Sequence, residues 1–344
     1  MQTLLLTRPD DWHLHLRDGL QLSAILPDTV AHFARALIMP NLKPPLTTVA
    51  SVLAYRSRIL AALPKGADFT PLMTLYLTEN TSPAEIILAK QSGVIHGIKF
   101  YPAGATTHSE AGVQDITRVW PILETMEKLD LPLLVHGEVS SPEVDPFDRE
   151  QVFLDRYLAP LVEKFSNLRV VLEHITTSEA VEFVRHSSQK VAATITPHHM
   201  FLNRSALFQG GLRPHYYCLP VLKREKHRRA ILDAAISGNP KFFLGTDSAP
   251  HSRFSKESGC ACAGIYNAPV ALELCTEIFS NANALNRLEG FTSFYGTDFY
   301  ELRRNQGILS LEESPWTVPK EVSFGADHLV PFCAGESMQW RVKN

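Results

Sequence analysis

LPLLVHGE at residues 131–138, EQVFLDRYLAPLVEKF at 150–165 and LRVVLEHIT at 168–176 follow one another along the chain. The first and third are short apolar runs that end on polar residues. The middle stretch carries apolar residues at helical spacing. Strand, helix, strand argues for a parallel sheet.

The same alternation extends in both directions. Apolar runs recur as ARALIMPN (34–41), FTPLMTLYL (69–77), IHGIKFYP (95–102), VAATITPHH (191–199) and KFFLGTDSAP (241–250). The opening LLLTRPDDWHLHL adds one more, and TRVWPILETMEKLD is another amphipathic stretch. About eight such units predict an α/β fold, a (β/α)8 TIM-type barrel. An open doubly wound sheet is the alternative. The length of 344 residues suits one barrel with additions, since such barrels run to roughly 250 residues or more. With no internal repeat, low-complexity tract or long linker, residues 1–344 read as a single domain. Beyond about 252 the pattern is less regular. IYNAPVALELCTEIFSNANAL reads as a long helix and TDFYELRRNQG as a shorter one. The tail, about 310–344, is expected to pack on the barrel as a C-terminal extension.

Composition narrows the classes of function. Net charge is −3 and charged residues make up 20% of the chain. Such a balance exerts no global pull on nucleic acid or a membrane surface, so any anion site must be local. The five cysteines, Cys218, Cys260, Cys262, Cys275 and Cys333, are odd in number and irregularly spaced, and read as free thiols in a reducing compartment. Cys260 and Cys262 form a Cys-x-Cys pair with no second pair to complete a metal site. The run Leu4–Leu6 is too short for a signal peptide or a membrane span. A cytoplasmic location is expected.

The polar residues gather at one end of the strands. In DWHLHLRDG (11–19), His13 and His15 are two apart and project to the same face of a strand. Alone, they are either two separately satisfied core histidines or a metal pair. Lys99, His136, His174 and Asp247 sit late in four other apolar runs, where a barrel places its active site. Ten of the 14 histidines, His32, His186 and His227 among them, fall elsewhere. Four neutral imidazoles and a carboxylate suit Zn²⁺ or a similar divalent ion, and the set is large enough for two. An ammonium at Lys99 would be repelled by a dication. Lys99 therefore either pairs with a substrate anion or reacts with CO₂ to form a carbamate that can bridge two ions.

These residues resemble the amidohydrolase superfamily and, within it, the dihydroorotase family of the shorter, homodimeric bacterial type. WHLHLRDG, MPNLKPP, GIKFYPAGATT, LLVHGEV, LEHITT, TPHH, YYCLPVLK and LGTDSAPH carry the resemblance over nearly the whole chain. It implies two Zn²⁺ per subunit. His13, His15, Lys99 and Asp247 would hold one, and carboxylated Lys99 (N6-carboxylysine), His136 and His174 the other. It implies the reversible closure of N-carbamoyl-L-aspartate to L-dihydroorotate, with Asp247 as general acid and base. Arg17, Asn41 and His251 would hold the substrate carboxylate. Leu219 and Ala263 would offer main-chain contacts, and Thr106 and Thr107 would lie on a mobile loop.

The residues read by themselves leave alternatives open. A guanidinium at Arg17 suits a carboxylate, or it pairs with Asp18. Asn41 is equally a turn residue, and His251 equally a capping or surface histidine. GATTHSEAG is either a lid or an ordinary loop, and VLKREKHRR reads as a solvated helix face. Two rivals are a hydantoinase- or dihydropyrimidinase-like cyclic-amide hydrolase and a silent scaffold barrel.

Overall fold

The computed structural model describes residues 2–343. Thirteen strands follow in chain order: β1 (Thr3–Thr7), β2 (Asp10–Leu14), β3 (Arg35–Ile38), β4 (Thr70–Tyr76), β5 (Ile95–Phe100), β6 (Leu133–His136), β7 (Val170–Glu173), β8 (Val191–Ile195), β9 (Phe242–Leu244), β10 (Ile308–Thr317), β11 (Val322–Phe324), β12 (Asp327–Leu329) and β13 (Ser337–Lys343). Strands β2 to β9 pair in sequence order, each parallel to the next. The ring closes where Leu14 bridges Ser248 and the Asp247 N–H donates to the His13 carbonyl at 2.8 Å. This is the (β/α)8 barrel that the alternation predicts. Most barrel strands are buried throughout because helices cover the outer face and side chains fill the lumen.

Period two sorts the strand residues. Leu133 and Val135, Val170 and Leu172, and Val191 and Ala193 pack outward against the helices. Between them, Leu134, Val171 and Ala192 point inward and join Trp12, Leu37, Leu72 and Phe243 in a separate apolar cluster. Trp12 stacks on Tyr300 with ring centroids 4.5 Å apart and meets Phe243 edge-on. This floor closes the N-terminal end of the lumen. Two residues further on, the same inward rows of β6 and β7 reach His136 and Glu173.

One glycine makes room for the polar layer. Gly245 continues the inward row from Phe243, and a Cβ there would lie 2.8 Å from the Thr194 Cβ and 2.9 Å from the His13 Cβ.

Several boundaries differ from the sequence reading. The opening run is two strands, not one. Pro9 has no N–H to donate and interrupts it, and β1 leaves the barrel to pair with β10, which also pairs with β13. The tail is thus an antiparallel sheet beginning at Ile308, with the hairpin β11–β12 beside it. Stretch 150–165 is helical but contains a π turn at Leu154–Leu158, next to Pro160, whose ring cannot fit a regular turn. The long helix after 265 is confined to Ala271–Asn281, because Pro269 keeps the preceding residues extended. The shorter helix lies at Tyr295–Phe299, upstream of its expected place.

Gly245→Ala should destabilise the fold by about 1–3 kcal/mol, the usual cost of overpacking a filled core. A urea-unfolding midpoint unchanged from the parent protein would show that the lumen has slack at this point.

Candidate active site

One cavity opens at the C-terminal end of the barrel. Its lining includes His13, His15, Arg17, Asn41, Thr106, Thr107, His136, His174, Leu219, Asp247, His251 and Ala263. Every site residue expected from the sequence except Lys99 lines it. Lys99 is fully buried, with its amine 4.7 Å from the centre of the Tyr101 ring, itself part of the lining.

The strands bring the groups together in different ways. In β2 the pairing with β3 slips between Asp11 and Leu14. The slip lets Trp12 fill the floor while His13 and His15 both face the cavity. His174, directly after β7, and Asp247, three residues past β9, have φ of 43° and 46°. This left-handed conformation is strained for residues with a Cβ and recurs at functional sites. Buried Asp11 braces this rim, accepting from the Thr246 N–H at 2.8 Å and the His13 N–H at 3.1 Å.

The inner contacts are close. His13 Nε2 lies 3.2 Å from His15 Nε2 and 3.3 Å from Asp247 Oδ1, and His15 Nε2 lies 3.1 Å from the same oxygen. On its other side, His13 Nδ1 is 3.1 Å from Glu173 Oε1. His15 Nδ1 lies 2.9 Å from Asn41 Oδ1, which orients the ring so that Nε2 faces the cavity. The ring of His174 sits 4.9 Å from that of His13 and 4.8 Å from that of His136. His136 Nε2 contacts Glu138 at 2.9 Å, and the Lys99 amine contacts Glu173.

Glu173 was not singled out in the sequence. Its signal was present, since it stands two residues after the inward Val171, but a buried carboxylate has no motif of its own. Glu138, Tyr101, Ala249 and Gly264 were passed over in the same way.

Electrostatics follow from burial. Desolvation pulls His13, His136 and His174 below the ordinary imidazole value, and His15 to about 4. Burial alone would raise Asp247, yet His13 and His15 beside it hold its carboxyl well below the usual range. Burial also draws the Lys99 amine far down. These are neutral imidazoles around an ionised carboxylate, the donor chemistry that a divalent cation takes. The ligand atoms of His13, His15 and Asp247 lie within 4.8 Å of one another, as do those of His13, Glu173 and His174. His174 Nδ1 is buried without a hydrogen-bond partner among the described residues. The donor set therefore fits a metal centre.

Beside this cluster lies the guanidinium of Arg17. Arg17 Nε donates to the Pro250 carbonyl at 2.7 Å and Arg17 Nη2 to His251 Nε2 at 3.1 Å. Burial, then the nearby guanidinium, lowers His251 to about 2, so it stays neutral. Asn41 Nδ2 donates to the Thr107 carbonyl at 3.2 Å, and the Thr107 hydroxyl to the Ala263 carbonyl at 3.4 Å. The loop that carries Thr106 and Thr107 thus lies across the cavity.

A second buried group, His198, His199 and Cys218, also has ligand atoms within 4.8 Å, though these histidines were set aside in the sequence. Their hydrogen bonds account for most of them. His199 Nε2 and Cys218 Sγ both turn to the Pro220 carbonyl, at 3.0 and 3.3 Å. Asn267 donates to His198 Nδ1 at 3.2 Å. All five cysteines are free thiols.

The Amidohydrolase family matches residues 11–311 of the chain. A dihydroorotase from Picosynechococcus sp. is 61% identical over 341 residues, covering 99% of each sequence. Among solved structures, a dihydroorotase from Saccharomyces cerevisiae in complex with 5-fluoroorotic acid is 34% identical with a TM-score of 0.93, covering 100% of this chain and 99% of that one. A dihydroorotase from Campylobacter jejuni is 39% identical with a TM-score of 0.91, covering 99% and 98%.

The buried imidazoles make the metal-free protein acid-sensitive. His15, His96 and His198 all fall to about 4 through burial. Below about 6.5 the unfolded chain takes up protons at these sites while the folded chain does not, so stability is lost as pH falls from about 6.5 to 4. Asp11, which burial raises to about 6, opposes this together with Asp28 and Glu150, also raised by burial, while His13, His136, His174 and His199, lowered by burial, add to it. The melting temperature of chelator-treated protein should drop across that window, and a flat profile would mean these rings are protonated in the fold.

Proposed function

Because the chain belongs to the amidohydrolase family and, within it, to the dihydroorotases, we propose that it interconverts N-carbamoyl-L-aspartate and L-dihydroorotate plus water in de novo pyrimidine biosynthesis. The observation that carries this reading is one cavity shared by Arg17, Asn41 and His251 with His13, His15 and Asp247. One side of that cavity suits a carboxylate and the other a metal-assisted attack on an amide. Two Zn²⁺ per subunit are proposed, with His13, His15, Lys99 and Asp247 around one and carboxylated Lys99, His136 and His174 around the other. A divalent ion supplies Lewis acidity toward a carbonyl oxygen and lowers the pKa of a bound water from 15.7 to about 7.

The chain's own residues do the rest. Lys99 reacts as the neutral amine, its nitrogen bonding to the carbon of CO₂ and releasing a proton. An anion then stands where an ammonium would repel a cation, and the amine exchanges its contact with Glu173 for that role. Arg17 binds the substrate carboxylate through paired N–H donors, with Asn41 and neutral His251 beside it. Main-chain groups at Leu219 and Ala263 hold the ring. In hydrolysis Asp247 takes the proton of the attacking water and delivers it to the ring nitrogen as the amide bond breaks. In cyclisation it takes the amide proton first. The Thr106–Thr107 loop excludes water once substrate is in place. A homodimer in the cytoplasm is proposed from the same resemblance. No helix among the described residues is long and apolar enough to cross a membrane.

Cyclisation merges a carboxylate into a neutral ring and consumes a proton. Each unit of acidification should therefore shift the equilibrium about ten-fold toward the ring while the lost carboxylate remains ionised. Assays beside dihydrouracil and hydantoin separate this reading from the hydantoinase-like one. Only dihydroorotate offers Arg17 a carboxylate, so it should be turned over far faster, and equal use of all three rejects the assignment. Lys99→Ala should lose metal and most activity, with small carboxylic acids restoring part of both. Full metal content and turnover in that variant would remove the carbamate.

A further inference from the structure

Lys256 ends the short helix Arg253–Lys256 and is only 2% exposed. Its amine lies 5.7 Å from the centre of the Tyr217 ring. Nζ donates to three main-chain carbonyls: Tyr217 at 2.8 Å, Cys262 at 2.8 Å and Gly264 at 2.6 Å. All three N–H donors of an ammonium are thereby used. The acceptors belong to two loops far apart in sequence, and both loops reach the cavity. Leu219 follows Tyr217 by two residues, Ala263 stands between Cys262 and Gly264, and both line the cavity.

Peptide planarity carries the effect to Ala263. In a trans peptide the C=O and N–H point in opposite directions. With the Cys262 carbonyl fastened to Nζ, the Ala263 N–H faces away from Lys256. The Gly264 N–H donates to the Tyr217 carbonyl at 3.0 Å, which turns the Ala263 carbonyl the other way, to the Thr107 hydroxyl. Both peptide planes around Ala263 are fixed, one by Lys256 and the other through a carbonyl that Lys256 also holds. Gly264 allows this close passage. Its φ is 147°, and a Cβ would lie 2.8 Å from the Ala249 carbonyl oxygen and from His251 Cδ2.

Burying an ammonium without a carboxylate partner is costly. An apolar side chain of the same length would fill the space without that cost but would leave the Cys262 and Gly264 carbonyls unsatisfied and the two loops joined only by the Gly264–Tyr217 bond. We infer that Lys256 is a positioning residue that aims the main-chain groups of Leu219 and Ala263 at the substrate ring and so sets substrate affinity without touching substrate. This inference rests on the activity proposed above.

The test compares wild-type enzyme with Lys256→Met, which removes every donor, and Lys256→Gln, which keeps at most two. Wild-type turnover of L-dihydroorotate is measured first, and its absence rejects the activity reading. Given an active wild type, both variants should hold metal at the wild-type level. KM for both substrates should rise about ten- to a hundred-fold, more for Met than for Gln, as expected for binding groups displaced by a fraction of an ångström to an ångström. The change in kcat should stay under about three-fold, because the lost contacts serve ground state and transition state alike. A folded variant with KM within about two-fold of wild type, even with a lowered melting temperature, overturns the inference and makes Lys256 merely structural. Parallel loss of metal and kcat at unchanged KM overturns it too. Should the Met variant fail to fold, the Gln variant decides on the same KM criterion.

Discussion

Desolvation inside the lumen is the constraint on which the rest of this structure depends. Four imidazoles, an amine and two carboxylates share a space whose floor is Trp12, Phe243 and Tyr300. Charging an imidazole there costs more than in water, so burial keeps the rings neutral and their lone pairs free. Asp247 resists the same pressure because His13 and His15 lie against its carboxylate. A cation entering this site competes with few protons, which is what metal affinity at neutral pH requires.

The barrel divides its strands by height as well as by face. Outward residues bind the helical shell, inward residues near the N-terminal end form an apolar plug, and inward residues near the C-terminal end carry charge and hydrogen bonds. The change occurs within two residues, from Val171 to Glu173 and from Leu134 to His136. At the upper layer, His174 and Asp247 adopt left-handed backbone. The braced rim around them, with Asp11 bonded to Thr246 and to the His13 N–H, absorbs that strain.

Around the rim, loops are tied by polar side chains with several donors or acceptors. Asn41 joins His15 to the Thr107 loop, and Lys256 joins the Tyr217 and Ala263 segments. Loops built from irregular backbone have many carbonyls to satisfy, and a single side chain with several donors fixes more than one of them at once. Preorganised main-chain contacts of this kind cost no reordering when a ligand arrives.

Much of this was legible in the sequence because it is local. Alternating apolar runs and helical stretches, with periods set by backbone geometry alone, named the barrel, the ends of its strands and the group His13, His15, Lys99, His136, His174 and Asp247. Local rules failed at prolines, where Pro9 splits the opening run and Pro160 accompanies a π turn. Partnership was not local. Glu173 meets Lys99 across 74 residues, and Lys256 meets Tyr217 across 39. Neither residue is marked by spacing or type, since a buried charge is recognised only by what surrounds it. The strand periods decided which side chains face the lumen, and only the closure of the barrel decided which of them touch, because contact is a property of the folded distance between segments and not of their order in the chain.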